Sequence, residues 1–250
     1  MQPLIRSLLY SLVGVGFAAA TVRRGSLTPG GAVAALLLGS VVVYFRGTIW
    51  LVPLVAFFLS SVVIGRTLPA PSAASDQKDK QPRDAVQVAC NGVIYGLLAV
   101  GDVSPLLLLI SMAVATSDTW SSEIGKYFGQ PTFDITTGQR VPSGLSGGVS
   151  VAGSVAGLVG AIFISMLGLW LLEHFTLSQL IFVVTCGFGG MLMDSLLGAS
   201  FQARYRGVDG KVSDRHTAGS HLVRGFPWMT NDAVNLISIS VTVLLAWYAI

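Results

Sequence analysis

Residues 177–200 read LSQLIFVVTCGFGGMLMDSLLGAS, twenty-four positions with one charged side chain, Asp194. A hydrocarbon core needs about 20 predominantly apolar residues of helix, so this run is long enough to cross a bilayer. A charge placed inside such a run costs roughly 3 kcal/mol or more unless it is paired or wet, which makes Asp194 a functional candidate. It lies one to two turns from the end of the segment, and Gly190, Gly198 and Ala199 leave space around it.

Working outward, seven more apolar segments of similar length occur at residues 4–22, 29–45, 48–65, 85–101, 104–122, 148–172 and 232–250. The fold class they imply is all-α: a polytopic transmembrane helical bundle of about eight spans, forming a single integral-membrane domain over residues 1–250. Gly92/Gly96 and Gly153/Gly157 have the GxxxG spacing that lets helices approach closely. The loop 66–84, rich in Pro, Ser and mixed charge, reads as a mobile linker. A short internal echo suggests two parallel four-helix repeats, with halves 1–83 and 84–250 or 1–101 and 102–250. Pro29-Gly30-Gly31-Ala32-Val33 echoes Ser146-Gly147-Gly148-Val149-Ser150, and Asp84-Ala85-Val86-Gln87 echoes Asp232-Ala233-Val234-Asn235.

Composition agrees. The 250 residues are 52% hydrophobic and only 11% charged, with a mean hydropathy of +0.71. Soluble domains carry about 25% charged residues, so this chain lacks the charge to solvate a globular surface. A spanning β-barrel would alternate polar and apolar residues, and the long apolar runs exclude it. The pI near 9.0 is modest and calls for no nucleic acid partner. Cys90 and Cys186 fall in apolar segments and read as small buried hydrophobes, not a disulfide or a metal site. The N-terminus has the look of a signal peptide, but Arg23 and Arg24 follow the apolar run at once, so it reads as an uncleaved first span.

The basic residues set an orientation. Thirteen of the fifteen Lys and Arg fall in the loops after spans one, three, five and seven, and only Arg6 and Arg46 lie on the other side. By the positive-inside rule, both termini are expected outside and the large loops in the cytoplasm. The basic residues of the last large loop, Arg204 among them, read as lipid-headgroup or topology charges, and His216 and His221 as solvated.

The other polar residues within apolar runs gather on the same side. Asp118, Ser121 and Ser122 share a helix face; Glu123 lies about 140° round and joins them only if the helix ends or unwinds there. Such a set suits a hard cation such as Mg²⁺, which takes one or two carboxylates and keeps phosphate oxygens or waters. Asp118, Glu123 and Asp194 are the candidate metal ligands. Residues 136–150 form a Gly/Ser-rich loop running into the sixth span. Free backbone N–H groups and the helix dipole favour anions there, which nominates Ser146, Gly147, Gly148 and Ser150, while Arg140 could add a bidentate phosphate contact. The plainer alternative is a loop followed by a small-residue packing helix. Asn231, Asp232 and Asn235 open the last span. Capping explains Asn231 or Asp232, but Asn235 lies a turn inside. Asn91 sits near the start of the fourth.

The blocks Asp-Thr-Trp-Ser-Ser-Glu-Ile-Gly (118–125), Ser-Gly-Gly-Val-Ser (146–150), Asp-Ser-Leu-Leu-Gly-Ala (194–199) and Asn-Asp-Ala-Val-Asn (231–235), in this order, resemble one integral-membrane family. It is the family labelled domain of unknown function 92, which includes plant and cyanobacterial phytyl-phosphate kinases. The resemblance implies a kinase converting an isoprenyl monophosphate to the diphosphate with CTP or another nucleotide, as in tocopherol biosynthesis. Carried over by position, its candidates are Asp118, Glu123, Ser146, Gly147, Gly148, Asp194, Asn231, Asp232 and Asn235, with Asp118, Glu123, Asp194 and Asp232 the expected catalytic set. No plastid transit peptide is evident, which fits a bacterial inner-membrane (or thylakoid) protein. Expected partners are the isoprenyl monophosphate lipid, the nucleoside triphosphate and membrane lipids, with room for a homo-oligomer. A lipid transporter or flippase, a cytidylyltransferase releasing pyrophosphate and a non-catalytic scaffold are the rival readings.

Overall fold

The computed structural model describes residues 2–68, 81–101 and 103–250, with side chains from Leu12 onward. Residues 69–80 of the linker, including Lys78 and Lys80, and Asp102 of a short connection lie outside the described residues, as does the side chain of Arg6. Eight helices follow the expected segments closely: α1 (Gln2–Arg23), α2 (Pro29–Arg46), α3 (Leu51–Thr67), α4 (Ala85–Val100), α5 (Pro105–Phe128), α6 (Val151–Leu171), α7 (Leu177–Phe201) and α8 (Asn231–Ala249). Among the described residues, five stretches are long and apolar enough to cross a membrane: α2, α3 with its leading 3₁₀ turn Thr48–Trp50, α6, α7 and α8.

The all-α expectation needs correcting. The connections after α5 and α7 each fold into a three-stranded antiparallel sheet. In the first, β1 (Thr132–Asp134) is flanked by β2 (Arg140–Val141) and β3 (Gly148–Val149). In the second, β4 (Arg204–Arg206) is flanked by β5 (Val212–Ser213) and β6 (His221–Arg224). Strands of two to four residues are too short to show a period-two pattern, so the sequence reads as loop there. Both sheets lie at one end of the bundle, together with the start of α2, α4, α6 and α8. The opposite end has only tight connections. There Arg46, at the end of α2, donates to the carbonyls of Leu98, Ala99, Gly101 and Val103. These include carbonyls that the end of α4 leaves without intrahelical partners. Tyr95 adds a hydroxyl bond to the Trp50 carbonyl at 2.6 Å.

The axis of the bundle is α5, in which every residue from Leu106 to Ser117 is buried. It is wrapped by α6, α7, α8, α3 and α4. The approach of α6 is made by glycines. A Cβ at Gly153, Gly157 or Gly160 would meet the carbonyl oxygens of Ser121, Ser117 or Thr116 at 3.0–3.1 Å. Ser117 Oγ donates to the Gly157 carbonyl at 2.8 Å across the same contact. The other GxxxG pair behaves likewise: Gly92 and Gly96 of α4 leave the space that Leu38 of α2 fills.

The two echoes sit differently in the helices. Pro29 and Gly30 open the first turn of α2 after the Thr28 cap, whereas Gly147 and Gly148 precede the Ser150 cap of α6. Asp84 is itself a cap, whereas Asp232 lies inside α8 after the Thr230 cap.

Gly157→Val is expected to overpack the α5–α6 contact by about 1–3 kcal/mol and lower the thermal midpoint of the detergent-solubilised protein. Gly189→Ala on α7, whose added Cβ would meet nothing within 4 Å, should leave it unchanged. Equal midpoints for the two variants would contradict this packing.

Candidate functional site

The buried run of α5 ends at Ser117, and Asp118 is the first residue of α5 to line a large cavity. The helix continues for ten residues to Phe128, and Asp118 therefore lies roughly 15 Å from its end at 1.5 Å per residue. Across from it on α7, Asp194 is 6% exposed, and the two carboxylates interact electrostatically. Ser238 on α8 donates to Asp194 Oδ2 at 3.0 Å. The Asn235 amide, in the orientation that satisfies it, donates to the same oxygen at 3.0 Å and to the Asn231 carbonyl at 3.1 Å. This explains Asn235, which capping did not: α8 uses it to hold the α7 carboxylate. Asp232 is buried in the first turn of α8, where the helix dipole favours a negative charge. Asn91 on α4 donates to the Gln87 carbonyl of its own helix at 2.9 Å.

These groups line one large cavity of about 2230 Å³. It holds Asp118, Glu123, Asp194, Asp232, Asn91, Asn231, Asn235, Ser146, Gly147, Gly148 and Ser150, which is every nominated residue except Arg140. Arg140, on β2, belongs instead to a separate depression beside Gly129 and Ser143. The cavity also runs up between α1, α2 and α3 as an apolar slot lined by Phe17, Leu36, Val43, Leu54 and Phe58.

Three expectations change on inspection. First, α5 neither ends nor unwinds at Glu123, so this side chain turns away from the Asp118 face. It packs beside Gly65 of α3, 3.6 Å from where a Cβ would stand, and interacts with the charge of Arg83. Among the described residues, no three of His, Cys, Asp and Glu converge to hold a metal. The Asp118–Asp194 pair is the remaining donor set, and it suits Mg²⁺ only in the mode where substrate phosphates complete the shell.

Second, the Ser146–Ser150 stretch is engaged by the protein itself. Ser146 N–H donates to Asp214 Oδ2 at 2.7 Å, and its hydroxyl to Gln202 Oε1 at 2.7 Å. Its carbonyl accepts from Arg204 at 2.8 Å. Gly147, at φ +78°, lies so close to the Ala199 backbone that no side chain would fit. A Cβ at Gly148 would collide with Thr132 and the Leu145 carbonyl. Ser150 caps α6 through a 3.2 Å bond from Gly153 N–H. These glycines are required by packing and backbone conformation, and the Ser146 N–H already holds an anion, the Asp214 carboxylate.

Third, Arg204 is buried rather than facing lipid headgroups. It pairs with Asp134 at 3.4 Å and so ties β4 to β1. Burial pushes the Asp134 carboxyl up, but hydrogen bonds from the Thr136 hydroxyl, the Thr136 and Thr137 N–H groups and Arg204 outweigh it and hold it at about 2. Partners 70 residues apart leave no local pattern, so the sequence gives no sign of this pair.

Arg83 was also missed, because it sits in a charge-rich linker. Its backbone is pinned to the α1–α2 turn: Arg83 N donates to Ser26 O at 3.1 Å, and Thr28 N to Arg83 O at 3.0 Å. A Cβ at Gly31 would strike the Arg83 carbonyl oxygen. The guanidinium stands 5.8 Å from the centroid of the Phe57 ring. Burial lowers its pKa from the ordinary value and Glu123 opposes this; an arginine side chain stays protonated in proteins.

Apolar helices packed around a polar, acid-lined cavity define a multi-pass integral membrane protein with a site at one end of the bundle. The chain belongs to the integral membrane protein family DUF92, whose pattern matches residues 12–243. It is 30% identical over 213 residues to an uncharacterized membrane protein of Methanocaldococcus jannaschii, covering 82% of this chain and 87% of the relative. To Protein VTE6, chloroplastic, of Arabidopsis thaliana it is 28% identical over 88% of its own length and 64% of that protein's. An uncharacterized membrane protein of Synechocystis is 29% identical over 88% of this chain and 81% of its own. No solved structure matches.

Asp134→Asn is expected to lower the thermal midpoint at pH 7 by stranding a buried guanidinium, a loss of about 3 kcal/mol. The folded carboxyl at about 2 lies below the ordinary ~3.9, so its contribution is complete above the ordinary value and is lost as pH falls through 2. The variant's midpoint should therefore lose less than the wild type's over that acid window. Parallel midpoint-against-pH curves for the two would refute the assignment.

Proposed function

We propose that the protein is a membrane-embedded kinase that converts a phytyl-type isoprenyl monophosphate to the diphosphate, using CTP or another nucleoside triphosphate with Mg²⁺. The observation that carries this reading is the convergence of four separated sequence blocks on one cavity that has an acidic chamber at one end and an apolar slot at the other. Similarity to Protein VTE6 supports an enzyme of tocopherol biosynthesis, the route that the family resemblance implies. In this reading all eight helices span the membrane, both termini lie outside, and the sheet-bearing end faces the cytoplasm, where soluble nucleotide arrives.

The chemistry asks little of covalent catalysis. An oxygen of the acceptor monophosphate attacks the γ-phosphorus of the nucleotide; a new P–O–P bond forms, the β–γ bridge breaks, and nucleoside diphosphate leaves. The acceptor is already anionic at pH 7, so no strong base is required, and positioning and charge stabilisation dominate. Mg²⁺, held by Asp118 and Asp194, would neutralise the nucleotide's phosphates. Ser238 and Asn235 keep Asp194 oriented, and the prenyl tail occupies the slot beside Phe17, Leu36 and Phe58.

Asp118→Asn and Asp194→Asn are each expected to reduce turnover by at least about 100-fold while the protein still folds. The assay is purified protein in nanodiscs with Mg²⁺, labelled CTP or ATP and a panel of isoprenyl monophosphates. Prenyl diphosphate appearing with nucleoside diphosphate supports the kinase. Pyrophosphate release would instead indicate nucleotidyl transfer. Folded protein without turnover across the panel would sink the proposal in favour of lipid transport.

A further inference from the structure

We propose that Arg83 binds the phosphate headgroup of the lipid acceptor, separately from the nucleotide–metal chamber at Asp118 and Asp194; this rests on the kinase reading above. Arg83 carries a buried donor, Nη1, with no hydrogen-bond partner among the described residues. An unmade hydrogen bond on a buried charge is costly, so such a group marks a place where a ligand completes the shell.

Its position suits one part of one ligand. The guanidinium lies over Phe57, which lines the cavity together with the apolar slot residues, so Arg83 stands where slot and polar chamber meet. An amphiphile with its tail in the slot puts its headgroup there. On the chamber side Arg83 interacts with Glu123, not with the Asp118–Asp194 pair. Arg83 thus stands apart from the paired acids, beside α3 and α4, whereas Lys126 is the cation that interacts with Asp118. Two polyanions meeting for in-line transfer need this separation, because one takes a metal and the other needs a direct cationic partner.

Arg66 offers a contrast. It also lines the cavity, but it is exposed and donates to the Arg24 carbonyl at 2.6 Å and Ser26 Oγ at 2.9 Å. Arg83, by comparison, has its backbone fixed by the Ser26 and Thr28 bonds and its guanidinium beside Phe57 and Glu123, and its Nη1 remains to meet a phosphate oxygen.

The test is equilibrium binding to the full chain in nanodiscs without nucleotide or Mg²⁺, comparing geranylgeranyl monophosphate with geranylgeraniol. Magnesium–CTP binding is measured separately. Wild type should favour the monophosphate over the alcohol by about 10- to 100-fold. Arg83→Gln should remove that preference while leaving alcohol and nucleotide affinity unchanged, and Arg83→Lys should restore part of it. Retained preference in a folded Arg83→Gln variant would overturn the proposal. So would a loss confined to nucleotide binding, which would assign Arg83 to the donor's phosphates. If Arg83→Gln does not fold, Arg83→Lys decides: unchanged monophosphate affinity would overturn the assignment of a forked contact, and a selective drop would support it. Binding is read without turnover, so a phosphate preference that depends on Arg83 in a protein that makes no diphosphate would reject the kinase and keep the headgroup site.

Discussion

The glycine seam between α5 and α6 is the contact on which the rest of the arrangement depends. In a membrane, lipid tails are as apolar as leucine, so helices gain little by burying apolar area against one another and associate through close packing and interhelical hydrogen bonds. Gly153, Gly157 and Gly160 bring α6 against the backbone of α5. The Ser117–Gly157 hydrogen bond then adds about 0.6 kcal/mol, the average measured for such bonds in a bilayer. That energy is small. Its consequence is geometric, because it sets the rotation of α5 one residue before Asp118. Gly187 and Gly190 bring α7 onto the other side of α5 at Ala113 and Val114, which places Asp194 opposite Asp118.

The elements around the cavity differ in how tightly they are held. Of the apolar windows of α6 and α8, 39% is buried, against 17% for those of α2 and α3. Asp118 follows the fully buried run of α5, and α7, which carries Asp194, is intermediate at 28%, whereas the slot is bounded by helices with much of their surface turned outward. Under the proposed function, precise geometry for phosphoryl groups would belong on the more buried side. If the slot takes a prenyl chain, as proposed, walls that can adjust would help, since sparsely packed elements open at lower free-energy cost.

The sequence made some of this plain and hid the rest for identifiable reasons. All eight helices were visible as apolar runs, and both GxxxG pairs proved to be helix contacts. Asp118, Asp194 and Asn235 stood out because a polar side chain inside an apolar run needs a reason. Glu123 could be placed only conditionally, as the 140° offset separates it from Asp118 unless the helix breaks; the helix does not break. Ser146, Gly147 and Gly148 looked like a phosphate loop because backbone N–H groups and glycines are what such loops need. Their partners, Asp214, Gln202, Arg204 and Ala199, lie 52 to 68 positions further along the chain, beyond any local pattern. Arg83 was hidden differently. Among the many charges of its linker nothing marks it as a cavity residue, and the feature that admits its backbone, the missing side chain of Gly31, lies on α2.

The Asp214–Ser146 contact bears on how the two sheets work together. A carboxylate accepting a loop N–H at 2.7 Å sits where an incoming phosphate would find its first backbone donor. The same loop is clamped from below by Arg204, whose charge is balanced by Asp134 of the first sheet. The α7–α8 connection therefore supplies both the anion that occupies the loop, Asp214 just after β5, and the cation that fixes it, Arg204 on β4. An anion docking at Ser146 must displace a tethered carboxylate whose effective concentration is high, so this loop favours order over ligand binding. Under the proposed kinase function, phosphate binding then falls to the Asp118–Asp194 pair with a metal ion and to Arg83, rather than to the glycine loop.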